Sequence, residues 1–195
     1  MIRFCDVFLS GVGLVLLFPL FLILGIWIKI DSNGPVFYKQ QRVGKDGVDF
    51  SLFKFRSMQI DSDKKGLITI GSRDPRVTNS GYFIRKYKLD ELPQLINVFL
   101  GDMSLVGPRP EVRKYVDLYN EEQSAVLSIR PGITDYASIA FSNENEILSR
   151  VSNPEQYYIE VIMPEKLRLN MAYILNRTLF QYFKIISITI GKIIR

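Results

Sequence analysis

Histidine is absent from this 195-residue sequence, and cysteine occurs once, as Cys5. The chain therefore lacks the commonest general base and the commonest metal ligand. Acid, base or metal chemistry must come from carboxylates, lysine, tyrosine or serine. A single cysteine also excludes an internal disulfide and a thiolate zinc site. The length is enough to bury a core, as one domain or as one domain plus an anchor.

Acidic residues are absent from residues 167–195, a tail that contains five lysines and arginines. Because the whole chain has a formal net charge of +5, the preceding residues balance to zero. A neutral body with a basic, apolar tail favours an anionic membrane surface as the partner. Nucleic acid is not expected to bind, because the basic residues lie on a strongly apolar tail.

Charge is also absent from Val7 to Ile28, an apolar run of 22 residues. A spanning helix needs about 20 apolar residues, so this run is long enough to cross a bilayer. A cleaved signal peptide is the alternative, but its apolar region is shorter and ends at a small-residue site that this run lacks. We predict a permanent anchor at residues 1–30 and a folded body at residues 31–195.

Pro19 lies in the middle of the apolar run. A proline there removes a backbone donor, so it marks a kink or a turn-back point. Composition leaves open both a kinked span and a re-entrant hairpin of two half-helices. Cations are more numerous after the run than before it, so the positive-inside bias keeps the body in the cytoplasm. The cations after the run are Lys29, Lys39, Arg42 and Lys45, and Arg3 precedes it.

The basic tail has the pattern of an interfacial helix. At about 100° per residue, its cations fall on one side and its large apolar residues on the other. The cations are Arg177, Lys184, Lys192 and Arg195, and the apolar residues are Leu179, Phe183, Ile186, Ile190 and Ile193. A helix that packs on the protein core is the alternative, because Ile188 falls on the basic side.

Residues 36–44 and 48–58 have the pattern of two strands joined through Lys45-Asp46-Gly47. Alternation along the second strand puts Lys54 and Arg56 on one face, where two cations could meet a diphosphate. The alternative is that both cations snorkel at a sheet edge or a membrane rim. With helices predicted elsewhere, the hairpin indicates an α+β fold that is mainly helical.

Asp90 and Glu91 are adjacent carboxylates in a basic neighbourhood. A helix is predicted to begin near Asp90, because apolar residues follow at i, i+3, i+4 and i+7 from Leu92. A phosphate bound at the first turn of this helix would lie beside both carboxylates. Because these negative groups repel one another, a divalent cation or nearby arginines would be needed. Oxygen ligands and phosphate suit magnesium. Helix capping by Asp90 is the simpler alternative.

Two arginines lie on stiff loops. Arg109 stands between Pro108 and Pro110, and Arg130 precedes Pro131-Gly132. Because proline fixes the backbone, each guanidinium is suited to bind a phosphate or a carboxylate. A third polar motif, Asp61-Ser62-Asp63, lies in the polar stretch of residues 59–80 and matches the Asp-x-Asp pattern of metal-dependent glycosyltransferases. A solvated loop is the alternative there.

Several stretches together resemble the monotopic polyprenol-phosphate phosphoglycosyl transferases, the bacterial sugar transferase family, over essentially the whole chain. They are "QQRVG", "LFKFRSM", "KLDELPQLINVFLGDMSLVGPRPE", "IRPGIT" and "YY" at 157–158. The resemblance implies transfer of a phospho-sugar from a UDP-sugar to undecaprenyl phosphate with release of UMP. This is the first membrane step of a surface glycan such as capsule or lipopolysaccharide.

The resemblance also implies roles for individual residues. Asp90 would be the nucleophile that forms a covalent phospho-sugar intermediate, and Glu91 would act with it at magnesium. Lys54, Arg109 and Glu155 fall at active-site positions, and we add Arg56 and Arg130 as substrate-binding candidates.

A location is implied as well. The anchor would be a re-entrant helix-break-helix with Pro19 at its break, and the catalytic domain would lie on the cytoplasmic face of the bacterial inner membrane. The oligomeric state stays open, with a dimer as one option.

The chain departs from the family pattern at three places. Phe18 precedes Pro19 where the family often has serine, which makes the re-entrant geometry less secure. Asp135-Tyr136 follows "RPGIT" where Gly-Trp is common, and Glu155 replaces an aspartate. The last two changes concern contacts to the base or the sugar.

Two other functions are compatible with parts of the sequence. A metal-dependent glycosyltransferase that uses Asp61 and Asp63 would transfer only the sugar and release UDP. A membrane-bound scaffold would use its acids as helix caps and would have no activity.

Overall fold

The N-terminal apolar run forms one long helix. The computed structural model describes residues 1–62 and 74–194, and its first element, α1, spans Ile2–Asp31. The predicted division into two half-helices is wrong, because Pro19 lies inside α1. A proline removes only one backbone donor. The next two side chains, Leu20 and Phe21, pack against the protein core and support the helix just after this point.

One side of α1 contacts the rest of the protein along its length. Near its start, Arg3 donates a hydrogen bond of 2.6 Å to the carbonyl of Val98. Near its end, Leu24 and Ile28 are buried in a cluster with Phe55. The opposite side exposes large apolar residues, among them Phe4, Phe8, Val15, Leu16, Ile23, Ile26 and Ile30. By length and composition, α1 is the one helix of the described residues that could cross a membrane.

The predicted hairpin is confirmed. Strands β1 (Phe37–Val43) and β2 (Asp49–Phe55) pair antiparallel, with Tyr38 opposite Lys54. The turn between them contains Asp46 and Gly47 at φ values of 57° and 75°. These left-handed conformations suit aspartate and glycine better than most residues.

The carboxylate pair lies between two helices. Helix α2 (Asn79–Lys86) is capped by the Thr78 side chain and is followed by a 3₁₀ turn at Leu89–Glu91 and by α3 (Gln94–Leu100). The prediction of Asp90 as the N-cap of the second helix is therefore wrong. Asp90 lies inside the 3₁₀ turn, and Pro93, which has no N–H, precedes α3.

A second, parallel pair of strands holds the two arginine loops together. Strand β3 (Ser104–Val106) pairs with β4 (Gly132–Thr134). Just after β3, Gly107 approaches Gly132 so closely that a Cβ atom on Gly132 would lie 2.1 Å from the Gly107 nitrogen. Glycine is therefore required at this crossing.

The remaining helices complete the body, and the last of them packs against this strand pair. They are α4 (Arg113–Val116), α5 (Glu121–Ser124), α6 (Tyr136–Ala140), α7 (Glu144–Ser149), α8 (Pro154–Tyr157), α9 (Met163–Leu175) and α10 (Leu179–Ile194). The described residues thus form a mostly helical protein with two small sheets, which agrees in outline with the predicted α+β class.

The C-terminal helix α10 combines the two interpretations of the tail. Tyr182 and Ile185 are fully buried, as in a core helix, whereas Phe183 and Ile190 are exposed, as an interfacial helix requires. Ile186, predicted on the lipid side, packs instead against the core cluster that contains Ile185. The sequence predicted the helical period of the tail correctly. It could not show which face of α10 packs on the body, because that depends on residues from distant segments.

Candidate active site

Asp90 is a buried carboxylate at the centre of the candidate site. Its side chain is only 8% exposed. The preceding Lys88 has a left-handed conformation with φ of 56°, which turns the chain after α2 and begins the 3₁₀ turn that contains Asp90. Within residues 1–62 and 74–194, no hydrogen bond or ion pair involves the Asp90 carboxylate.

Glu91, by contrast, is fully engaged with two cations. Both of its carboxylate oxygens accept hydrogen bonds from the guanidinium of Arg109, and the Nη1–Oε2 distance is 3.1 Å. The ammonium of Lys54 lies 3.4 Å from Oε1. The structure thus brings together four of the predicted site residues, Asp90, Glu91, Lys54 and Arg109.

Two different strands supply the cations. Lys54 projects from β2, which places a charged side chain over the 3₁₀ turn. Arg109 follows β3 after Gly107 and Pro108, so its direction depends on the β3–β4 pair. Two prolines flank Arg109 and restrict its backbone. A bidentate contact with a carboxylate needs this kind of fixed guanidinium.

The two adjacent acids titrate in opposite directions. Burial and the charge of Glu91 raise the pKa of Asp90 above the ordinary aspartate value. Burial alone would also raise the pKa of Glu91, but Arg109 and Lys54 together lower it far below its usual range. Neighbouring carboxylates in different environments often divide two chemical roles between them. Asp90 is therefore the reactive candidate, and Glu91 is a permanently ionised partner.

The cations are affected by the same contacts. Burial lowers the pKa of Lys54, although Glu91 opposes the shift. The charge of Glu91 raises the pKa of Arg109. Arg109 is therefore positively charged at every relevant pH. A permanent guanidinium near a buried carboxylate that has no bonded partner among the described residues suits chemistry at a phosphate group.

A layer of charged and aromatic groups that we did not predict lies behind Arg109. Glu111 accepts a hydrogen bond from the Tyr158 hydroxyl and pairs with Arg42 at 3.5 Å. Lys166 lies 3.0 Å from Glu144 and is nearly buried. No sequence motif connects these residues, because they come from distant segments. Only the position of Glu111 directly after Pro-Arg-Pro was a local signal.

The Arg56 guanidinium binds the end of α1 and makes no hydrogen bond or ion pair with the Asp90 cluster within the described residues, and its assignment as a substrate ligand stays a prediction. Its guanidinium donates to the carbonyl of Ser32 at 2.6 Å, to that of Ile28 at 3.3 Å, and to that of Asn33. These carbonyls lie at or just beyond the C-terminal end of α1, where backbone acceptors lack helical partners. Arg56 follows the last residue of β2, so its long side chain can turn toward α1.

Arg130 and Glu155 are also separate from Asp90. The Arg130 Nε atom donates to the carbonyl of Gly101 at 2.7 Å. Glu155 pairs with Lys114, and its Oε1 atom lies 3.4 Å from the hydroxyl of Tyr115. Their assignment as substrate ligands stays a prediction. Of the Asp-x-Asp motif, Asp63 lies outside the described residues.

The whole chain matches one protein family. Residues 1–195 match the sequence model described as "Bacterial sugar transferase". The match covers the apolar N-terminus, the Asp90 turn and the tail together.

Three curated relatives illustrate the similarity. A UDP-N-acetylgalactosamine-undecaprenyl-phosphate N-acetylgalactosaminephosphotransferase of Aeromonas hydrophila is 43% identical over 140 residues, which are 70% of this chain and 33% of the relative. A UDP-glucose:undecaprenyl-phosphate glucose-1-phosphate transferase of Escherichia coli (strain K12) is 35% identical over 161 residues, 80% of this chain and 35% of the relative. The exopolysaccharide production protein ExoY of Rhizobium meliloti (strain 1021) is 37% identical over 170 residues, 80% of this chain and 75% of the relative. The matched region is therefore about a third of the first two relatives and three quarters of the third.

Proposed function

Because this chain belongs to the bacterial sugar transferase family, we propose that it is a phosphoglycosyl transferase. It moves a phospho-sugar from a UDP-sugar to undecaprenyl phosphate and releases UMP. The observation that carries the proposal is the buried, unpartnered carboxylate of Asp90, within the described residues, next to Glu91 and its two cations. The Aeromonas and Escherichia relatives are named for two different sugars, so the sugar stays open.

Asp90 acts as the nucleophile in this proposal. Its carboxylate oxygen forms a bond to the β-phosphorus of the UDP-sugar, while the bond from that phosphorus to the bridging oxygen breaks and UMP leaves. A phosphate oxygen of undecaprenyl phosphate then attacks the same phosphorus. This second step releases the Asp90 carboxylate and forms the lipid diphosphate sugar. Neither leaving group needs much help from a general acid, which fits a chain without histidine.

Lys54 and Arg109 offset the charge of the transferring phosphate. In the described geometry Glu91 binds both cations, so an incoming phosphate would share them with Glu91. Glu91 holds the guanidinium and the ammonium within reach of one another before substrate binds. This arrangement reduces the reorganisation that the first step requires.

Magnesium is the proposed cofactor. This ion usually takes one or two protein carboxylates and completes its shell with water and substrate phosphates. Asp90 offers a carboxylate to that donor set, and Glu91 would join it by giving up a contact with Arg109 or Lys54. No larger cluster of candidate ligands occurs among the residues that the structure describes. When bound, magnesium would supply positive charge to the diphosphate.

We propose that α1 is embedded as one continuous helix in the cytoplasmic leaflet of the bacterial inner membrane, with both of its ends and the catalytic body on the cytoplasmic side. The support is that both ends of α1 contact the same body, through Arg3 at the start and through the Arg56 contact at the end. An impermeant thiol reagent should then fail to label a cysteine tag placed before Met1 in intact cells, after Cys5 is replaced by serine. Labelling of that tag from outside would exclude this topology.

The activity is tested by nucleotide release. Purified full-length protein in lipid nanodiscs is mixed with magnesium, undecaprenyl phosphate and a panel of UDP-sugars, and UMP and UDP are measured. We expect UMP with at least one sugar and a mass increase of one sugar phosphate on the protein when the lipid is left out. UDP as the product would instead favour the alternative glycosyltransferase.

Asp90→Asn should abolish both the UMP and the adduct. Asp46→Asn, in the exposed hairpin turn, is the matched control and should change neither. Near-normal turnover of Asp90→Asn would contradict the proposed mechanism.

A further inference from the structure

Asp135 is a completely buried carboxylate just after β4. Its Oδ1 atom accepts a hydrogen bond of 2.5 Å from the backbone N–H of Ser138 and thereby caps α6. Its Oδ2 atom accepts a bond of 2.9 Å from the backbone N–H of Arg109, and the Ser138 hydroxyl lies 3.2 Å away. One side chain therefore joins the start of α6 to the loop that carries the Arg109 guanidinium.

The backbone N–H of Arg109 can donate a hydrogen bond, whereas its two neighbours in sequence cannot. Pro108 and Pro110 have no backbone N–H. Arg109 thus supplies the one backbone donor of the Pro-Arg-Pro segment, and that donor is bound to Asp135. The far end of the same residue, its guanidinium, is bound to Glu91. Arg109 is held at both its amide and its side-chain terminus.

The parallel sheet explains why these two residues meet. Arg109 follows β3 and Asp135 follows β4, and the C-terminal ends of two parallel strands lie at the same edge of a sheet. The close crossing of Gly107 and Gly132 then brings the two loops to hydrogen-bonding distance. The contact is therefore fixed by the fold and does not depend on a mobile surface side chain.

We propose that Asp135 is a positioning residue for the transfer reaction, which acts by fixing the backbone of Arg109 so that the guanidinium stays directed at Glu91 and the transferring phosphate. This inference rests on the proposed function. Asp135 does not touch the phosphate, and its effect passes through Arg109. The competing explanation is that Asp135 only caps α6, as aspartate commonly does.

Two substitutions separate these roles. Asp135→Ser keeps a hydroxyl that can cap α6, because serine is a good N-cap, but it is too short to reach the Arg109 N–H. Asp135→Asn has one oxygen and one NH₂ group, so it must place a donor against either Arg109 or Ser138. Asn120→Ser is the control. Asn120 caps α5 in an exposed position, and serine preserves that cap.

The kinetic experiment measures UMP release by full-length protein in nanodiscs, below the unfolding temperature of every variant. A displacement of a catalytic group by about 1 Å can cost about 100-fold in rate. We therefore expect kcat to fall by about 10- to 100-fold in Asp135→Ser and in Asp135→Asn, with the KM for UDP-sugar changed much less. Asn120→Ser should retain the wild-type kcat.

A double substitution tests whether Asp135 acts through Arg109. In an Arg109→Lys background, Asp135→Ser should reduce the remaining rate by less than about threefold, because interacting sites are not additive. Loss factors that multiply in the double variant would show an independent structural role and would overturn the proposal. A kcat of Asp135→Ser equal to that of the wild type would also overturn the proposal.

Hydrogen exchange supplies a measurement that does not require activity. In the wild type the Arg109 amide should exchange slowly, and Asp135→Ser should lose the protection of one amide in the segment from Gly107 to Glu111. Equal protection in both proteins would exclude the contact as a positioning device. If the wild type releases no UMP with any UDP-sugar, the proposed function fails, and this exchange measurement still decides whether Asp135 fixes Arg109.

Discussion

The guanidinium of Arg109 and the carboxylate of Glu91 are joined by two hydrogen bonds across 18 residues of sequence. This contact places the loop after β3 over the 3₁₀ turn between α2 and α3. It neutralises Glu91 and leaves the neighbouring Asp90 as a buried carboxylate without such a partner among the described residues. This difference in surroundings between Asp90 and Glu91 is the basis of the predictions for Arg109, for the pH dependence and for Asp90 itself.

Replacing Arg109 by lysine should strongly reduce turnover. Lysine keeps the positive charge but cannot make the two parallel hydrogen bonds to Glu91. Loss of one such preorganised donor costs about 100- to 1,000-fold in kcat in comparable sites, and we expect UMP release to fall by that order. Arg113→Lys is the control, because Arg113 pairs with Asp49 at an exposed position. A kcat for Arg109→Lys within threefold of the wild type would contradict the role of the bidentate contact.

The rate of UMP release should fall as the pH decreases. The midpoint of this fall should lie at a higher pH than the ordinary pKa of an aspartate. The nucleophile must be ionised, and burial together with Glu91 raises the pKa of Asp90 above the usual value of about 3.9. The measurement is kcat/KM for UMP release between pH 4 and 9. In Glu91→Gln, removal of the neighbouring charge lowers the pKa of Asp90, so the acid limb should move to lower pH even though the rate is reduced. An acid limb at the same pH in Glu91→Gln and in the wild type would show that a group other than Asp90 titrates.

Asp90→Asn should make the protein more stable at neutral pH. The folded-state pKa of Asp90 is raised, so the ionised group costs stability above that pKa, and the cost disappears as the pH falls below it. Relief of this cost should raise the Tm of Asp90→Asn at neutral pH. The gain should shrink in acid, where the wild type takes up the proton. A gain independent of pH would point to packing and not to charge, and Asp46→Asn should show neither effect.

Lys54 and Arg56, two residues apart, should have opposite phenotypes. Lys54→Gln removes a cation from the site and should lower kcat. Arg56→Gln removes the group that binds the last carbonyls of α1, and leaving buried acceptors unpaired costs about 1–3 kcal/mol. We expect a lower Tm and an unchanged kcat below the unfolding temperature. A large loss of kcat in folded Arg56→Gln would instead support the sequence-based assignment of Arg56 to the substrate site.

Local patterns predicted the parts of the site that depend on local geometry. The alternation of a strand predicted which face of β2 carries Lys54, and two prolines marked the Arg109 loop as stiff. The hairpin itself followed from its turn residues. These features depend on neighbours within a few positions, so the sequence contains them directly.

Features that depend on long-range packing were missed. Arg56 shares a strand face with Lys54, but the end of α1 lies close enough to capture its guanidinium. The role of Asp135 depends on the pairing of β3 with β4, and the layer around Glu111 depends on α9. Pro19 predicted a break, but α1 continues through it, and Leu20 and Phe21 pack against the body just beyond it.

The one-sided burial of α1 also bears on how a detergent-free form of the protein could be engineered. Deleting α1 would remove the packing partners of Phe55 and Ile84 and would leave the Tyr182 hydroxyl without Asp6, its acceptor at 2.8 Å. Polar substitutions confined to the outward residues, such as Phe8, Val15 and Ile23, would leave those contacts intact. Solubilisation should therefore proceed by resurfacing this helix and not by truncation.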